Sequence, residues 1–182
     1  MKILLASDIH GSAYWCDKLL QAYKTENADR FVLLGDLLYH GPRNDFPKDY
    51  APKKVFEALN EVKAHITAIR GNCDSEVDQM VLEFPCLADY ALIDDNGRTL
   101  FLTHGHLFNK EILPVLKAGD ILFNGHFHTP CHQTLEGGII YANCGSTALP
   151  KDETPHAYIV YENGVLTWKN LDNGEVFDRL AL

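Results

Sequence analysis

Seven side chains spread along the sequence have the chemistry of a metal centre: Asp8, His10, Asp36, Asn72, His104, His126 and His128. They offer imidazole nitrogens, carboxylate oxygens and one neutral amide oxygen. That mixture suits Mn, Fe or Zn better than calcium or a lone magnesium. A single ion has no use for seven ligands. Two ions sharing one carboxylate do, and ions held about 3.5–4 Å apart can clamp the attacking and leaving oxygens of an in-line displacement. The pattern points to a binuclear hydrolase. Any one piece, such as Asp8-x-His10, reads by itself as a solvated or helix-capping pair, so the weight lies in the ordered set.

The elements that must position these residues follow from the apolar pattern. Lys2 to Ser7 is a continuous apolar run of strand length, and Ser12 opens a segment whose Trp15, Leu19, Leu20 and Tyr23 recur at helical spacing. Phe31 to Leu34 and Ile66 to Ile69 repeat the strand pattern, and Pro52 begins a second helical period carrying Val55, Leu59 and Val62. This β-α-β-α rhythm predicts a parallel sheet covered by helices. Further strands are expected over Tyr90 to Ile93, Thr99 to Thr103 and Ile121 to Asn124, with a short helix over Lys110 to Leu116 between the last two. The final third predicts strands at Gly138 to Tyr141, Ala157 to Tyr161, Val165 to Lys169 and Glu175 to Leu180, mostly antiparallel, with hairpin turns at Glu162-Asn163-Gly164 and Asp172-Asn173-Gly174. The two halves are expected to pack as a sandwich with helices outside.

Each of the seven residues falls at or just past the C-terminal tip of a predicted strand, where ligands bind in α/β sheets. In extended backbone, positions i and i+2 point the same way, so Asp8 with His10, and His126 with His128, are each expected to serve one point. The polar loop Tyr39 to Ala51 is long enough to overhang the site, and its His40 and Arg43 are either phosphate contacts or solvated loop residues.

Composition bounds the partners. The 182 residues fit one domain over 1–182, with 46% hydrophobic and 23% charged residues. The formal charge of −9, with no basic run, argues against a nucleic-acid polymer as partner. The apolar start is too short for a signal-peptide core or a membrane span. Five cysteines without CxxC spacing suggest reduced thiols, hence a cytoplasmic protein with no membrane partner. The sequence is equally compatible with a monomer and with a homo-oligomer.

Five blocks, Asp8-x-His10, Gly35-Asp36, Gly71-Asn72-x-Asp74, Gly105-His106 preceded by His104, and Gly125-His126-x-His128, stand in the order of the calcineurin-like metallophosphoesterase superfamily, which the chain resembles from its first strand to Ser146. With Gly-Asn-Cys-Asp in the third block, it is similar to the small YfcE-type bacterial phosphodiesterases. The resemblance implies an α/β fold, a four-layer α/β/β/α sandwich of two mixed sheets flanked by helices. It implies that Asp8, His10 and His128 hold one divalent ion, that Asn72, His104 and His126 hold the other, and that Asp36 bridges them. Mn is the metal expected first, with Ni, Fe or Zn as alternatives.

Asp36, Asn72, Cys73, Asp74 and His106 are the residues expected around the reacting phosphate. Asp74 either orients a ligand histidine or caps the helix near Ser75. His106 is a substrate contact, a support for a ligand, or the start of a helix. Two positions depart from the family pattern. Asn143-Cys144-Gly145-Ser146 lacks the proline of the group's Asn-Pro-Gly-Ser turn, and Cys73 stands where most of the superfamily's phosphatases carry a histidine thought to protonate the leaving group. A thiol is a weaker acid and donor than an imidazolium. The expectation is therefore hydrolysis of small phosphodiesters by a metal-bridging hydroxide, best with good leaving groups and weak on monoesters. The alternative from another class is a metal-binding interaction scaffold, similar to a retromer subunit of the same fold, since fold alone does not establish catalysis.

Overall fold

The computed structural model describes residues 1–182. Its elements are β1 (Lys2–Ala6), α1 (Ala13–Glu26), β2 (Arg30–Leu33), α2 (Pro52–Asn60), β3 (Ile66–Ala68), α3 (Glu76–Gln79), β4 (Tyr90–Asp95), β5 (Arg98–Thr103), β6 (Ile121–Asn124), β7 (Cys131–Thr134), β8 (Ile140–Asn143), β9 (Ala157–Glu162), β10 (Val165–Asn170) and β11 (Val176–Ala181). Two mixed sheets form, in the orders β11-β10-β9-β1-β2-β3 and β4-β5-β6-β8-β7.

Why the first strands read as unbroken apolar runs is visible in their two faces. In β1, Leu4 and Ala6 face the helices with Phe31 and Leu33 of β2, against Trp15, Leu19 and Tyr23 of α1 and Val55 and Leu59 of α2. Ile3 and Leu5 face the other way, into the layer between the sheets, with Leu100, Leu102, Ile121, Phe123 and Trp168. A strand buried on both faces carries no polar alternation. Ser12 caps α1 by accepting the Trp15 N–H at 3.3 Å, and Pro52 occupies the first turn of α2, where its missing N–H costs nothing.

The two sheets do not correspond to the two halves of the chain. β9, β10 and β11 are antiparallel, as expected, but β9 pairs with β1 (Leu4 opposite Val160), so the C-terminal strands extend the N-terminal sheet. In the second sheet β5–β6 and β6–β8 are parallel, with antiparallel β4 and β7 at the edges.

The helix expected over Lys110 to Leu116 is absent. Asn109 accepts the N–H groups of Glu111 and Ile112 at 2.8 and 3.1 Å and closes a turn instead, and Pro114 removes a donor that a helix there would need. Ile112, Leu113 and Val115 are exposed, so there is no buried stripe to hold a helix down. The outer face of the second sheet, Phe101, Leu122 and Tyr141, is covered by Phe108, Leu116 and Leu135 from irregular segments. β7 has all four residues exposed and therefore lacked an apolar signature, while positive φ at Gly137 and Gly138 delays β8 to Ile140.

Candidate metal centre

The tips of β1, β2, β5 and β6, with the loop after β3, converge at one end of the sandwich. Parallel pairing continues past β1 and β2: the N–H groups of Asp8 and His10 donate to the carbonyls of Gly35 and Asp36 at 3.0 and 2.9 Å. The backbone here is not extended. Asp8, His10, Asp36, His126 and His128 all have φ between 48° and 63°. Left-handed backbone in a residue with a Cβ costs of order 1–3 kcal/mol and persists where surrounding bonds fix it, characteristically at functional sites.

That conformation corrects the i, i+2 expectation for one of the two pairs. Asp8 and His10 do serve one point, together with His128: Asp8 Oδ1 lies 3.5 Å from His10 Nε2 and 3.1 Å from His128 Nε2, and the two Nε2 atoms are 3.4 Å apart. His126 turns away from His128. Its Nδ1 lies 3.2 Å from His104 Nε2, which in turn is 3.1 Å from Asn72 Oδ1. Between the two groups sits Asp36, its Oδ2 3.7 Å from His10 Nε2 and 3.6 Å from His104 Nε2.

Tautomers are set by backbone carbonyls. His10, His104 and His128 donate their Nδ1–H to the carbonyls of Tyr39, Leu34 and Leu149 at 2.8, 2.6 and 2.6 Å. Their Nε2 atoms are left as lone pairs. In their neutral forms these three rings turn lone pairs toward one another, carboxylate oxygens and an amide oxygen. Asp8 Oδ1 is buried and has no hydrogen-bond partner, while its Oδ2 accepts the His126 N–H at 3.0 Å. A cluster of acceptors without a donor is costly unless a cation completes it, so the residues present fit divalent ions. Burial alone would lower His10, but Asp8, the Tyr39 carbonyl and Asp36 raise it, which measures the pull of this cluster on positive charge. Burial alone would raise Asp8, but His104, His10 and His128 hold it well below the carboxylate range. Burial and the charge of His104 push His126 down to about 4, which leaves its ring a neutral ligand.

Asp74 does neither of the things expected of it. Ser75, not Asp74, caps α3. Asp74 touches no ligand histidine either: its Oδ2 accepts the N–H groups of Asp36 and Gly71, both at 2.7 Å, and its Oδ1 that of Leu37 at 2.9 Å. It ties the β2 and β3 loops together. Burial, then the charge of Asp36, raise its carboxyl to about 6.

The group opens into a cleft of about 340 Å³, lined by His10, Asp36, Asn72, Cys73, His126 and His128, and walled by Gly41 to Asn44, Phe127 and Lys151. Asp8 and His104 are fully buried. Cys73 donates its N–H to Asp36 Oδ1 at 2.8 Å, and its thiol, pushed up by burial and by Asp36, receives the Asn72 Nδ2–H at 3.2 Å. That contact turns the Asn72 oxygen toward His104. His106 stands behind His104 and His126, with ring centroids 5.4 and 6.3 Å away, and does not line the cleft. His40 packs against Tyr39, Phe46 and Tyr50, away from it.

Several supporting residues had no role in the sequence reading. Ser146 donates its hydroxyl to the Asp8 carbonyl at 3.0 Å and accepts the N–H of Leu149, whose carbonyl holds His128. The Asn143-to-Ser146 turn stands without a proline: the Cys144 N–H donates to the Asn124 carbonyl at 3.0 Å, a bond proline could not make. Lys151 followed the last family block with no pattern to mark it.

The calcineurin-like phosphoesterase superfamily domain matches residues 1–164. The chain belongs to this superfamily. As a calcineurin-like phosphoesterase it is an enzyme of ester hydrolysis at phosphorus, in a family whose members use divalent ions. It is 44% identical over 182 residues to phosphodiesterase YfcE of Escherichia coli strain K12, a match covering 100% of this chain and 98% of the relative. The solved structure of the E. coli phosphoesterase superposes with a TM-score of 0.96 at 45% identity, over 100% of this chain and 99% of that one. Vps29 of Entamoeba histolytica, solved with zinc, shares the fold with a TM-score of 0.61 at 18% identity, over 99% and 98% of the two chains.

Proposed function

We propose that the chain is a metal-dependent phosphodiesterase acting on small phosphodiesters from a binuclear centre, with Mn the native metal expected first and Ni, Fe or Zn as alternatives. The observation that carries this is the convergence of histidine lone pairs on carboxylate oxygens, one of them buried and unpartnered. In this reading Asp8, His10 and His128 hold one ion, Asn72, His104 and His126 hold the other, and Asp36 serves both. When bound, the ions supply a water-derived nucleophile at neutral pH and offset charge on the phosphoryl oxygens.

The chain's own groups do the positioning. Carbonyl acceptors lock three imidazoles with Nε2 inward, and Asp74 fixes the backbone that carries Asp36. The wall of the cleft offers a thiol at Cys73 and no histidine in that place, which supports a preference for diesters with good leaving groups. His106, behind the centre, supports His104 and His126 in this reading and does not contact substrate. Similarity to a named phosphodiesterase over the full chain supports the same reading, with residues 1–182 acting as one domain. All five cysteines are free thiols, which favours a cytoplasmic setting, and no helix is long and apolar enough to cross a membrane.

The test is reconstitution. Chelated protein reloaded with Mn, Ni, Zn or Mg is assayed on bis(4-nitrophenyl) phosphate and on 4-nitrophenyl phosphate. Metal-restored diester hydrolysis with weaker monoester turnover is expected, and no turnover with any metal would leave the scaffold reading standing. Within this reading, Cys73→His should raise kcat about tenfold or more on alkyl diesters and monoesters while changing aryl diesters little, because only poor leaving groups need a proton. A matched ester series for both proteins checks it, and a uniform change across the series would count against the missing-acid argument.

A further inference from the structure

We infer that Arg43 and Lys151 form an anion-reading subsite at the mouth of the cleft, which makes the preferred substrates diesters with a second oxyanion, phosphate or carboxylate, on one arm. The inference rests on the phosphodiesterase reading and names a substrate class within it.

Both cations line the same cleft as the candidate ligands. Arg43 lies in a loop packed on Cys73: a Cβ added to Gly41 would sit 3.2 Å from the Cys73 sulfur, and Asn44 donates its Nδ2–H to the His40 carbonyl at 2.7 Å, closing the loop. Lys151 is anchored beside the other ligand group. Its N–H donates to the His128 carbonyl at 3.2 Å, and its own carbonyl accepts the Thr154 N–H and hydroxyl at 3.0 and 2.6 Å. Both backbones are therefore held while both side chains stay exposed.

Neither cation has a protein partner. Eight of the 16 Lys and Arg side chains pair with carboxylates; Arg43 and Lys151 are among the other eight, and of all 16 they are the two that line this cleft, in a chain of formal charge −9. Charge balance then points to the ligand. Two divalent ions against the two carboxylates Asp8 and Asp36 leave the centre cationic. A simple diester brings one negative charge, which the centre alone offsets. Two further cations at the mouth exceed that need and suit a second oxyanion, for which the planar fork of an arginine is the apt partner.

The test uses full-length, metal-loaded protein and three non-hydrolysable probes at fixed ionic strength: propylphosphonate, 3-phosphonopropionate and propane-1,3-diylbisphosphonate, titrated calorimetrically. The two probes with an anionic arm should bind about tenfold more tightly than propylphosphonate, the size of one net charge-assisted contact. The double variant Arg43→Gln/Lys151→Gln should bring the ratio to within about twofold, with metal content and Tm unchanged, as befits exposed side chains. A ratio near one in the native protein, a ratio kept in the double variant, or no binding of any probe would overturn the subsite. Assay of the same preparation on bis(4-nitrophenyl) phosphate separates the two readings. Hydrolysis with a ratio of one sinks the subsite alone, and a variant-sensitive tenfold ratio without hydrolysis supports the subsite while sinking the diesterase reading.

Discussion

Replacing Asp36 by Asn is expected to reduce hydrolysis by about 10³-fold, the equivalent of roughly 4 kcal/mol of lost transition-state stabilisation. It should also lower bound metal from two ions per chain toward one. Asp36 is the carboxylate that comes within 4 Å of an Nε2 atom from each ligand group, through its Oδ2, so it is the residue through which the two sites become one centre. The variant preserves shape, and its amide oxygen can keep accepting the Cys73 N–H, now made by Asp36 Oδ1. What changes is the charge and the arrival of an N–H in a nest of lone pairs. That amide can donate to His10 or His104, so the metal-free variant should be at least as stable as metal-free native protein. Native protein at a hundredfold excess of metal over Kd gains about 2.7 kcal/mol, and the variant should lose part of that gain. Metal content by elemental analysis, with Tm measured with and without metal, separates loss of the centre from loss of the fold. Activity within tenfold of native, with two ions retained, would remove Asp36 from the bridging role.

Much of this architecture was legible because burial leaves a pattern. β1 and β2 are covered on both faces and read as unbroken apolar runs, and the strand tips are marked by the abrupt change to Asp8, Asp36 and Asn72. Where burial is absent the signal failed: β7 is wholly exposed, and the segment from Lys110 to Leu116 has helix-forming residues without a buried stripe. Sheet membership was hidden for another reason. That β9 joins β1 depends on pairing across some 150 residues, which no local period encodes. In the candidate centre, residue type and order identified all seven convergent side chains, yet the division of His126 and His128 between two groups hangs on a left-handed backbone that i, i+2 spacing cannot reveal. Asp74 shows the same limit: its work is to accept three backbone N–H groups, and backbone donors leave no trace in side-chain motifs.

The clamp made by Asp74 gives the other large expected effect, at a residue with no side chain. Gly71 passes so close to Asp36 that an added Cβ would lie 2.1 Å from its Oδ1 and 2.4 Å from its nitrogen. Separations of that size are far inside van der Waals contact, so something must move. The backbone cannot yield easily, because Asp74 Oδ2 holds the N–H groups of Gly71 and Asp36 at once. The carboxylate must swing off Oδ1's present position and the Asp36 backbone must shift with it, both away from the point midway between His10 and His104. Gly71→Ala is expected to fold, to bind the bridged ions more weakly, and to lose on the order of 10²-fold or more in kcat/KM, since displacements near 1 Å at a reacting centre cost about that much. Gly174→Ala is the matching control. Its φ of 74° makes an alanine strained there, but nothing lies within 4 Å of the added Cβ, so about 1 kcal/mol of stability should be lost with no change in turnover. If Gly71→Ala kept activity within threefold and two ions per chain, the β2 and β3 loops could separate, and Asp74 would not be the restraint that fixes the bridging carboxylate.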